Sequence, residues 1–445
     1  MLLWFLFVGA VMAFAVPAPP ARAESCPAGR LMPAAAVACR QLANRDVFCQ
    51  PLSETRRELL PGIGYYTLPV QVGPGEHDVI TLHRVVAEQR PGRPAAARRA
   101  VFMIPGANHG FASAFLALSL YAEPPLASLP VLLARSGVEA WGISFRWAQI
   151  PVGFPDQSFM ADWGMDVAVS DARVGLRIAR IARLLAGQGN RRLHVLGHSL
   201  GVWTAMALAN AEVSEPPQRR DIRGLILVEG ASKADPAETA YVQAVCDDYA
   251  SAQGQLDAGQ YGSDLSFFPW FNQLVLDDPD GECPFRPGFT NKQVALFNRT
   301  AAQNYPGNEW FHHFAGIFDE GGTPTALAYT DFVFSAVATT KVFGYNPIRY
   351  ARDAFAVTCG VPDVPWDDHL SEVTVPALYL GAGGATSSLG EYQTRLLGSE
   401  DVTTRVVRQQ PPELAALDIG HSDVLWAPAM RDLFWEPILA WTRAH

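Results

Sequence analysis

The segment 193–209 constrains the fold of this chain more than any other. An apolar run ending in Val195 and Leu196 is followed by the motif Gly197-His198-Ser199-Leu200-Gly201, and an alanine-rich stretch comes next. A G-x-S-x-G motif between a strand and a helix predicts a sharp turn that raises the serine hydroxyl above the sheet edge. The N-terminus of the next helix offers backbone N–H groups to a developing negative charge. We therefore predict that Ser199 is a nucleophile.

A serine nucleophile needs a base within hydrogen-bond reach, and the base needs an acid that orients it. The best candidate for the base is His421, which lies between a predicted last strand (402–407) and a closing helix (428–443). This placement resembles the histidine loop of the α/β-hydrolase superfamily, and the resemblance implies the role. The acid is less certain. We favour Glu229, at the end of the predicted strand 224–228, and keep Asp235 and Glu391 as alternatives.

The elbow and the Gly420-His421 loop resemble the α/β-hydrolase superfamily, of the serine esterase and lipase type. The resemblance covers roughly 64–231 and 366–445, and it implies the chain order serine, acid, histidine. It also implies an α/β-hydrolase fold, in which helices flank a mostly parallel central sheet. An oxyanion hole would be formed by the backbone N–H of Leu200 with that of Ala107 or Asn108, after the predicted strand 100–104.

The chain departs from this family at the usual position of the acid. The strand ending at Gly381 is followed by glycine, alanine, threonine and serine, with no carboxylate. A second position is known from the haloalkane-dehalogenase variant of the fold, where the acid precedes the cap. Glu229 stands at that position, whereas the nucleophile of those enzymes is an aspartate and not a serine.

Five segments follow from the patterning. They are a signal peptide (1–23), a cysteine-containing surface segment (24–63), a first core part (64–231), an inserted cap (232–366) and a second core part (367–445). The cap is rich in phenylalanine and tryptophan and lacks regular alternation of strand and helix. We expect it to be mainly helical and to act as a lid over the site.

The N-terminus indicates export. An apolar run (2–16) is followed by prolines and by Ala21-Arg22-Ala23, which predicts cleavage after Ala23 and a secreted or periplasmic protein. The run is too short for an ordinary membrane span, so no stable span is expected after processing. Six cysteines without a C-x-x-C pair predict disulfides in an exported protein. Pairing all six would require at least one bridge between the group before residue 50 and the group after residue 245.

The net charge of −10 and the absence of a long basic run argue against nucleic acid as a partner. No motif implies a metal or an organic cofactor. The sequence therefore predicts an exported serine hydrolase that cleaves an apolar carboxylic ester through an acyl-enzyme. An acyltransferase, a C–C bond hydrolase, a peptidase of the same fold and a non-catalytic binding protein stay open. The natural substrate, its acyl chain length and the oligomeric state are also left open.

Overall fold

Fifteen strands are found in the computed structural model, which describes residues 31–44, 47–303 and 305–445. They are β1 (Gln50–Pro51), β2 (Thr55–Leu60), β3 (Ile63–Gln71), β4 (Val79–Arg90), β5 (Arg93–Pro94), β6 (Arg99–Ile104), β7 (Val138–Ser144), β8 (Leu193–His198), β9 (Ile222–Val228), β10 (Gly262–Asp264), β11 (Gly316–Phe318), β12 (Pro324–Leu327), β13 (Tyr345–Pro347), β14 (Ala377–Ala382) and β15 (Val402–Val407). Eleven of them form one sheet, and the other four form two small antiparallel ribbons, β10 with β13 and β11 with β12.

The central sheet has the order β1-β3-β4-β7-β6-β8-β9-β14-β15, with β2 beside β3 and β5 beside β4. From β7 to β15 all neighbours are parallel, whereas β3, β4 and β7 are joined antiparallel. The strands β7, β8 and β14 are buried at every position, as expected when helices cover both faces of a parallel sheet. This confirms the predicted fold class.

Fourteen α-helices lie in the described residues. They are α1 (Leu31–Ala43), α2 (Phe111–Phe115), α3 (Ala117–Tyr121), α4 (Leu129–Arg135), α5 (Met165–Leu185), α6 (Gly201–Val213), α7 (Thr239–Asp257), α8 (Phe267–Asp277), α9 (Asn291–Thr300), α10 (Phe332–Thr339), α11 (Ile348–Cys359), α12 (Glu391–Arg395), α13 (Asp423–Trp426) and α14 (Glu436–Ala444). The predicted amphipathic helix 165–185 is α5, which contacts both α6 and α1.

The N-terminal segment differs from the expectation of an irregular surface stretch. Helix α1 buries Leu31, Ala34, Ala35, Ala38 and Leu42 in the main hydrophobic core. Half of the buried side chains of α1 are alanine, so its inward face carries little bulk where it packs against α5. The predicted signal peptide and Cys26 lie outside the described residues.

The cap lies between β9 and β14. It contains helices α7 to α11 and both ribbons, so it is mainly helical. Helix α7 packs on α11, α8 packs on α10, and α11 also contacts α5 of the core. No helix of the described residues has the length and apolar character that a membrane span needs.

Two disulfides join cysteines of the same predicted group, Cys39 with Cys49 and Cys246 with Cys359. Among the described cysteines no bridge joins the two groups, and Cys283 is a free thiol there. Its side chain is buried in a small apolar cluster with Phe271 and Val275. A free cysteine in such a place behaves as a small apolar side chain.

Candidate active site

Ser199 occupies the turn between β8 and α6 in a left-handed conformation, with φ of 55°. Its N–H donates to the carbonyl of Val228 on the neighbouring strand β9 at 3.0 Å, and its carbonyl accepts from Val202 at 2.9 Å. A non-glycine residue with positive φ is uncommon and tends to persist where the surrounding structure fixes it. The elbow therefore presents Ser199 at the carboxyl end of β8.

The loop after β6 lies directly against Ser199. A Cβ atom placed on Gly106 would be 2.5 Å from Ser199 Cβ and 3.0 Å from its Oγ. On the other side of the elbow, a Cβ on Gly201 would overlap the carbonyl oxygen of Ile104. Glycine is required at both positions because the backbones of the two loops touch.

His421 and Glu229 form the second part of the site. Nδ1 of His421 is 3.1 Å from Oε2 of Glu229, and both side chains are buried. Glu229 also has a left-handed backbone, with φ of 54°. Of the three candidate acids, the structure brings Glu229 to His421. The carboxylate of Asp235 instead accepts from the backbone N–H of Ala237, and Glu391 begins helix α12.

The loop after β14 lacks a carboxylate of its own, but its backbone N–H groups donate hydrogen bonds to the carboxylate of Glu229. The N–H of Ala382 donates to Oε1 of Glu229, and the N–H of Thr386 donates to Oε2 at 3.2 Å. A buried carboxylate is costly without hydrogen-bond donors, and these backbone groups provide them. The loop after β14 therefore holds the carboxylate that Glu229 supplies from the adjacent strand β9.

Residues of the cap hold the loop of His421. The N–H of His421 donates to the carbonyl of His312 at 3.0 Å, and the N–H of Ser422 donates to the carbonyl of His313 at 2.8 Å. The ring of Phe311 lies 5.2 Å from the ring of His421. His312 is fully buried, and its Nε2 is 2.8 Å from the carbonyl oxygen of Asp418. Nothing in the spacing of these residues marks them in the sequence.

Three further histidines surround His421, and burial lowers the pKa of each. The pKa of His109 falls to about 4, that of His313 to about 3, and that of His198 well below its usual value. Desolvation is the largest cause, and the nearby His421 adds to it in each case. These imidazoles are therefore neutral near pH 7. The surroundings of His421 combine these uncharged polar rings with aromatic side chains, since the ring of Phe311 is 5.2 Å from that of His421 and the ring of Trp426 is 5.4 Å from that of His109.

The predicted oxyanion donors differ in what they already bind. The N–H of Asn108 donates to Oδ1 of Asn346 in the cap at 3.3 Å, so it is engaged. Within the described part of the chain, the N–H groups of Ala107 and Leu200 have no acceptor. Leu200 precedes the first turn of α6, where the helix dipole favours negative charge. Ala107 and Leu200 are thus the donors left available beside Ser199.

Among residues 31–44, 47–303 and 305–445, no three side chains of His, Cys, Asp or Glu lie together as a metal site would require. The histidines near His421 face aromatic rings and backbone carbonyls.

Comparison with known proteins identifies the fold. No protein-family model and no curated protein sequence matches the chain. A crystal structure from Sulfolobus solfataricus, assigned as a lipase, is similar over 86% of this chain and 95% of its own, with a TM-score of 0.58 and 16% identity. A monoglyceride lipase from Saccharomyces cerevisiae covers 82% of this chain and 92% of its own at 11% identity, with a TM-score of 0.47. Together with the strand order, the similarity to the Sulfolobus structure shows that the chain has the α/β-hydrolase fold.

Proposed function

We propose that this protein is an exported serine hydrolase that cleaves apolar carboxylic esters through an acyl-enzyme. The observation that carries the proposal is the combination of a left-handed Ser199 with the His421–Glu229 contact of 3.1 Å. Ser199 follows β8 and Glu229 follows the neighbouring parallel strand β9, so both lie at the carboxyl edge of the sheet. In open α/β sheets this edge is where ligands bind.

In the proposed reaction, Ser199 Oγ attacks the ester carbonyl carbon while His421 Nε2 takes the hydroxyl proton. Glu229 accepts from Nδ1–H, which fixes the imidazole tautomer and stabilises the imidazolium. The N–H groups of Leu200 and Ala107 donate to the oxyanion. The imidazolium then gives its proton to the leaving alcohol as the C–O bond breaks. His421 then deprotonates a water molecule, which attacks the acyl carbon. The bond between that carbon and Ser199 Oγ breaks, the acid leaves, and the imidazolium returns the proton to Oγ.

The surroundings of the site support an uncharged, apolar substrate. The imidazoles of His109, His198 and His313 are neutral near pH 7, so they provide no ionic anchor. A peptidase of this fold would need a charged side chain to hold a peptide terminus. An ester of an apolar acid needs only apolar walls and the oxyanion donors, and this chemistry favours an esterase or lipase over a peptidase.

The cap adds an exposed aromatic surface. Phe267, Trp270 and Phe285 are 43%, 52% and 43% exposed, and the ring of Phe267 lies 5.8 Å from that of Trp270 and 5.4 Å from that of Phe285. Contiguous exposed aromatics on a soluble surface commonly mark a binding surface. This surface, together with the cap contacts to the His421 and Asn108 loops, supports the proposal that residues 232–366 form a lid that sets substrate choice.

Export is supported by the two disulfides, because such bonds persist in oxidising compartments. Cleavage after Ala23 remains a prediction of the sequence. Mass spectrometry of protein recovered from the periplasm or the medium should find Glu24 as the first residue. A mature chain that still carries residues 1–23 would contradict this part of the proposal.

The test of the activity is labelling with a fluorophosphonate, followed by hydrolysis of a series of esters of increasing acyl chain length. We expect one phosphonyl adduct on Ser199 and turnover that Ser199→Ala lowers by about 10³-fold or more with the fold intact. The control is Ser158→Ala, an exposed serine remote in sequence from the elbow. Product analysis with water and an alcohol as competing acceptors separates a hydrolase from an acyltransferase. Formation of the adduct at another serine would contradict the assignment of Ser199 as the nucleophile.

A further inference from the structure

A residue of the cap holds the loop that follows β6. Asn108 has a left-handed backbone, with φ of 67°. Its N–H donates to Oδ1 of Asn346 at 3.3 Å, and Nδ2 of Asn346 donates back to the side-chain Oδ1 of Asn108. The two asparagines are 238 residues apart in the chain and pair through both groups of the Asn346 amide. An amide can do this because it carries a donor and an acceptor.

Asn346 is itself fixed by its surroundings in the cap. It lies in β13, opposite Ser263 of β10, and the hydroxyl of its neighbour Tyr345 donates to the carbonyl of Phe154 at 2.9 Å. The N–H of Leu265 donates to the carbonyl of Gly344 at 2.8 Å, which extends the ribbon by one more bond. The Asn346 side chain therefore extends from a short strand tied to both the cap and the core.

The conformation of Asn108 affects the two residues before it, Gly106 and Ala107, which lie beside Ser199. Gly106 touches Ser199, and Ala107 is the single residue between Gly106 and Asn108. The N–H of Asn108 is taken by Asn346, while that of Ala107 has no acceptor in the described residues. A left-handed residue reverts to a commoner conformation when its partners are lost. Such a change at Asn108 would rotate the Ala107–Asn108 peptide. Through the backbone of Ala107 it would also displace the preceding Gly106–Ala107 peptide, which carries the Ala107 N–H.

Resting on the function proposed above, we infer that Asn346 is a positioning residue for the oxyanion hole. It holds Asn108 in its left-handed conformation, so that the Ala107 N–H stays in place to donate to the oxyanion beside Ser199. Asn346 does not itself touch the reacting atoms. The cap is thereby linked to transition-state stabilisation, and the role extends beyond covering the site.

The inference is tested with Asn346→Ala, which removes both bonds, and with Asn346→Asp, which keeps an acceptor for Asn108 N–H but loses the donor. Removing an oxyanion donor outright costs about 10²- to 10³-fold in kcat. A displaced donor should cost less, and we expect Asn346→Ala to lower kcat by about 10- to 100-fold with KM changed less than about threefold. Asn346→Asp should lie between Asn346→Ala and the wild type. The matched control is Ser263→Ala, across the same strand pair.

The affinity for a transition-state analogue distinguishes the proposed role of Asn346 from a purely structural one. A trifluoromethyl ketone binds as a tetrahedral adduct with an oxyanion, so its affinity should fall by the same factor as kcat/KM in Asn346→Ala. Wild-type affinity for the ketone in both variants would overturn the inference. A lowered Tm with unchanged kcat would also overturn it. If wild-type protein is not labelled by fluorophosphonate at Ser199, the proposed function fails and this inference with it. If the wild type is labelled and Asn346→Ala is labelled equally fast, only the role of Asn346 fails.

Discussion

The core side and the cap side of the candidate site are held by different kinds of contact. On the core side, Ser199 and Glu229 each follow a parallel strand, and each is tied to the next strand. The N–H of Ser199 donates to Val228, and the N–H of Glu229 donates to Leu380, both at 3.0 Å. On the cap side, the contacts are few and join residues that are far apart in sequence. The backbone carbonyls of 312–313 bind the loop of His421, and the side chain of Asn346 binds Asn108.

This difference indicates how each side is expected to respond to change. The sheet fixes core-side positions through many cooperative hydrogen bonds, so a substitution there removes chemistry while the geometry persists. Cap-side contacts are few, and each can be removed singly. Changes on the cap side should therefore alter rate or stability in graded steps, without abolishing the reaction.

The largest effect should come from the core side, in Glu229→Gln. An amide in place of the carboxylate no longer stabilises the imidazolium of His421, and its NH₂ group faces a backbone N–H of Ala382 or Thr386. By analogy with an acid-to-amide change in a serine triad, we expect kcat to fall by up to about 10⁴-fold. Steady-state kinetics with circular dichroism as a check on folding measures this. Glu391→Gln is the matched control, and near-wild-type turnover in Glu229→Gln would place the acid elsewhere.

The cap should be sensitive to loss of its own disulfide. Cys246 and Cys359 join α7 to α11 and close a separation of 113 residues, whereas Cys39 and Cys49 close only 10. The chain-entropy model gives about 5 kcal/mol for the longer loop and about 3 kcal/mol for the shorter one.

Chemical denaturation without reductant can compare the two double variants. We expect Cys246→Ser/Cys359→Ser to lose more free energy of unfolding than Cys39→Ser/Cys49→Ser. If the loss for Cys246→Ser/Cys359→Ser is equal to or smaller than that for Cys39→Ser/Cys49→Ser, the stability of the cap does not depend on the Cys246–Cys359 disulfide.

The smallest effect concerns Asp423, which joins the cap to the loop of His421. Its Oδ2 accepts from the N–H of Ala315 at 2.8 Å and of Gly420 at 3.0 Å, and its Oδ1 accepts from the hydroxyl of Thr330 at 2.7 Å. Burial raises the pKa of Asp423 to about 6 from its ordinary value of 3.8. The folded protein therefore holds this proton more tightly than the unfolded chain.

The stabilisation that comes from this proton is fully present below about pH 4 and is lost as the pH rises through about 6. In Asp423→Asn the amide oxygen can accept from the two backbone N–H groups while its NH₂ donates to Thr330, and the group no longer titrates. We expect the Tm of the variant, relative to wild type, to rise between pH 4 and pH 7 in calorimetry. Parallel Tm profiles for the two proteins would contradict the assignment.

Much of the core could be predicted from the sequence because its signals are local. Buried parallel strands appear as short apolar runs, such as those of β6, β9 and β14, and the elbow glycines belong to a short recognisable motif. Gly197 is required by a contact with Gly201, four residues away, whereas Gly201 is required by the distant carbonyl of Ile104. The place of Glu229 also followed from a local fact, namely a strand end that bears a carboxylate. Helix α1 was missed although its buried residues recur at helical spacing, because half of them are alanine and mark a buried face less strongly than larger apolar side chains would.

The sequence by itself thus determined the fold class and the candidate residues Ser199, His421 and Glu229, because each lies at the end of a strand or within a motif. Only the tertiary structure decided which acid faces His421, which cysteines pair, and which cap residues reach the site. Asn346, His312 and Asp423 are ordinary polar residues in sequence, and they act through partners 90 or more residues away. Such contacts have no local signature, because they depend on where the folded sheet and cap bring distant backbone groups together.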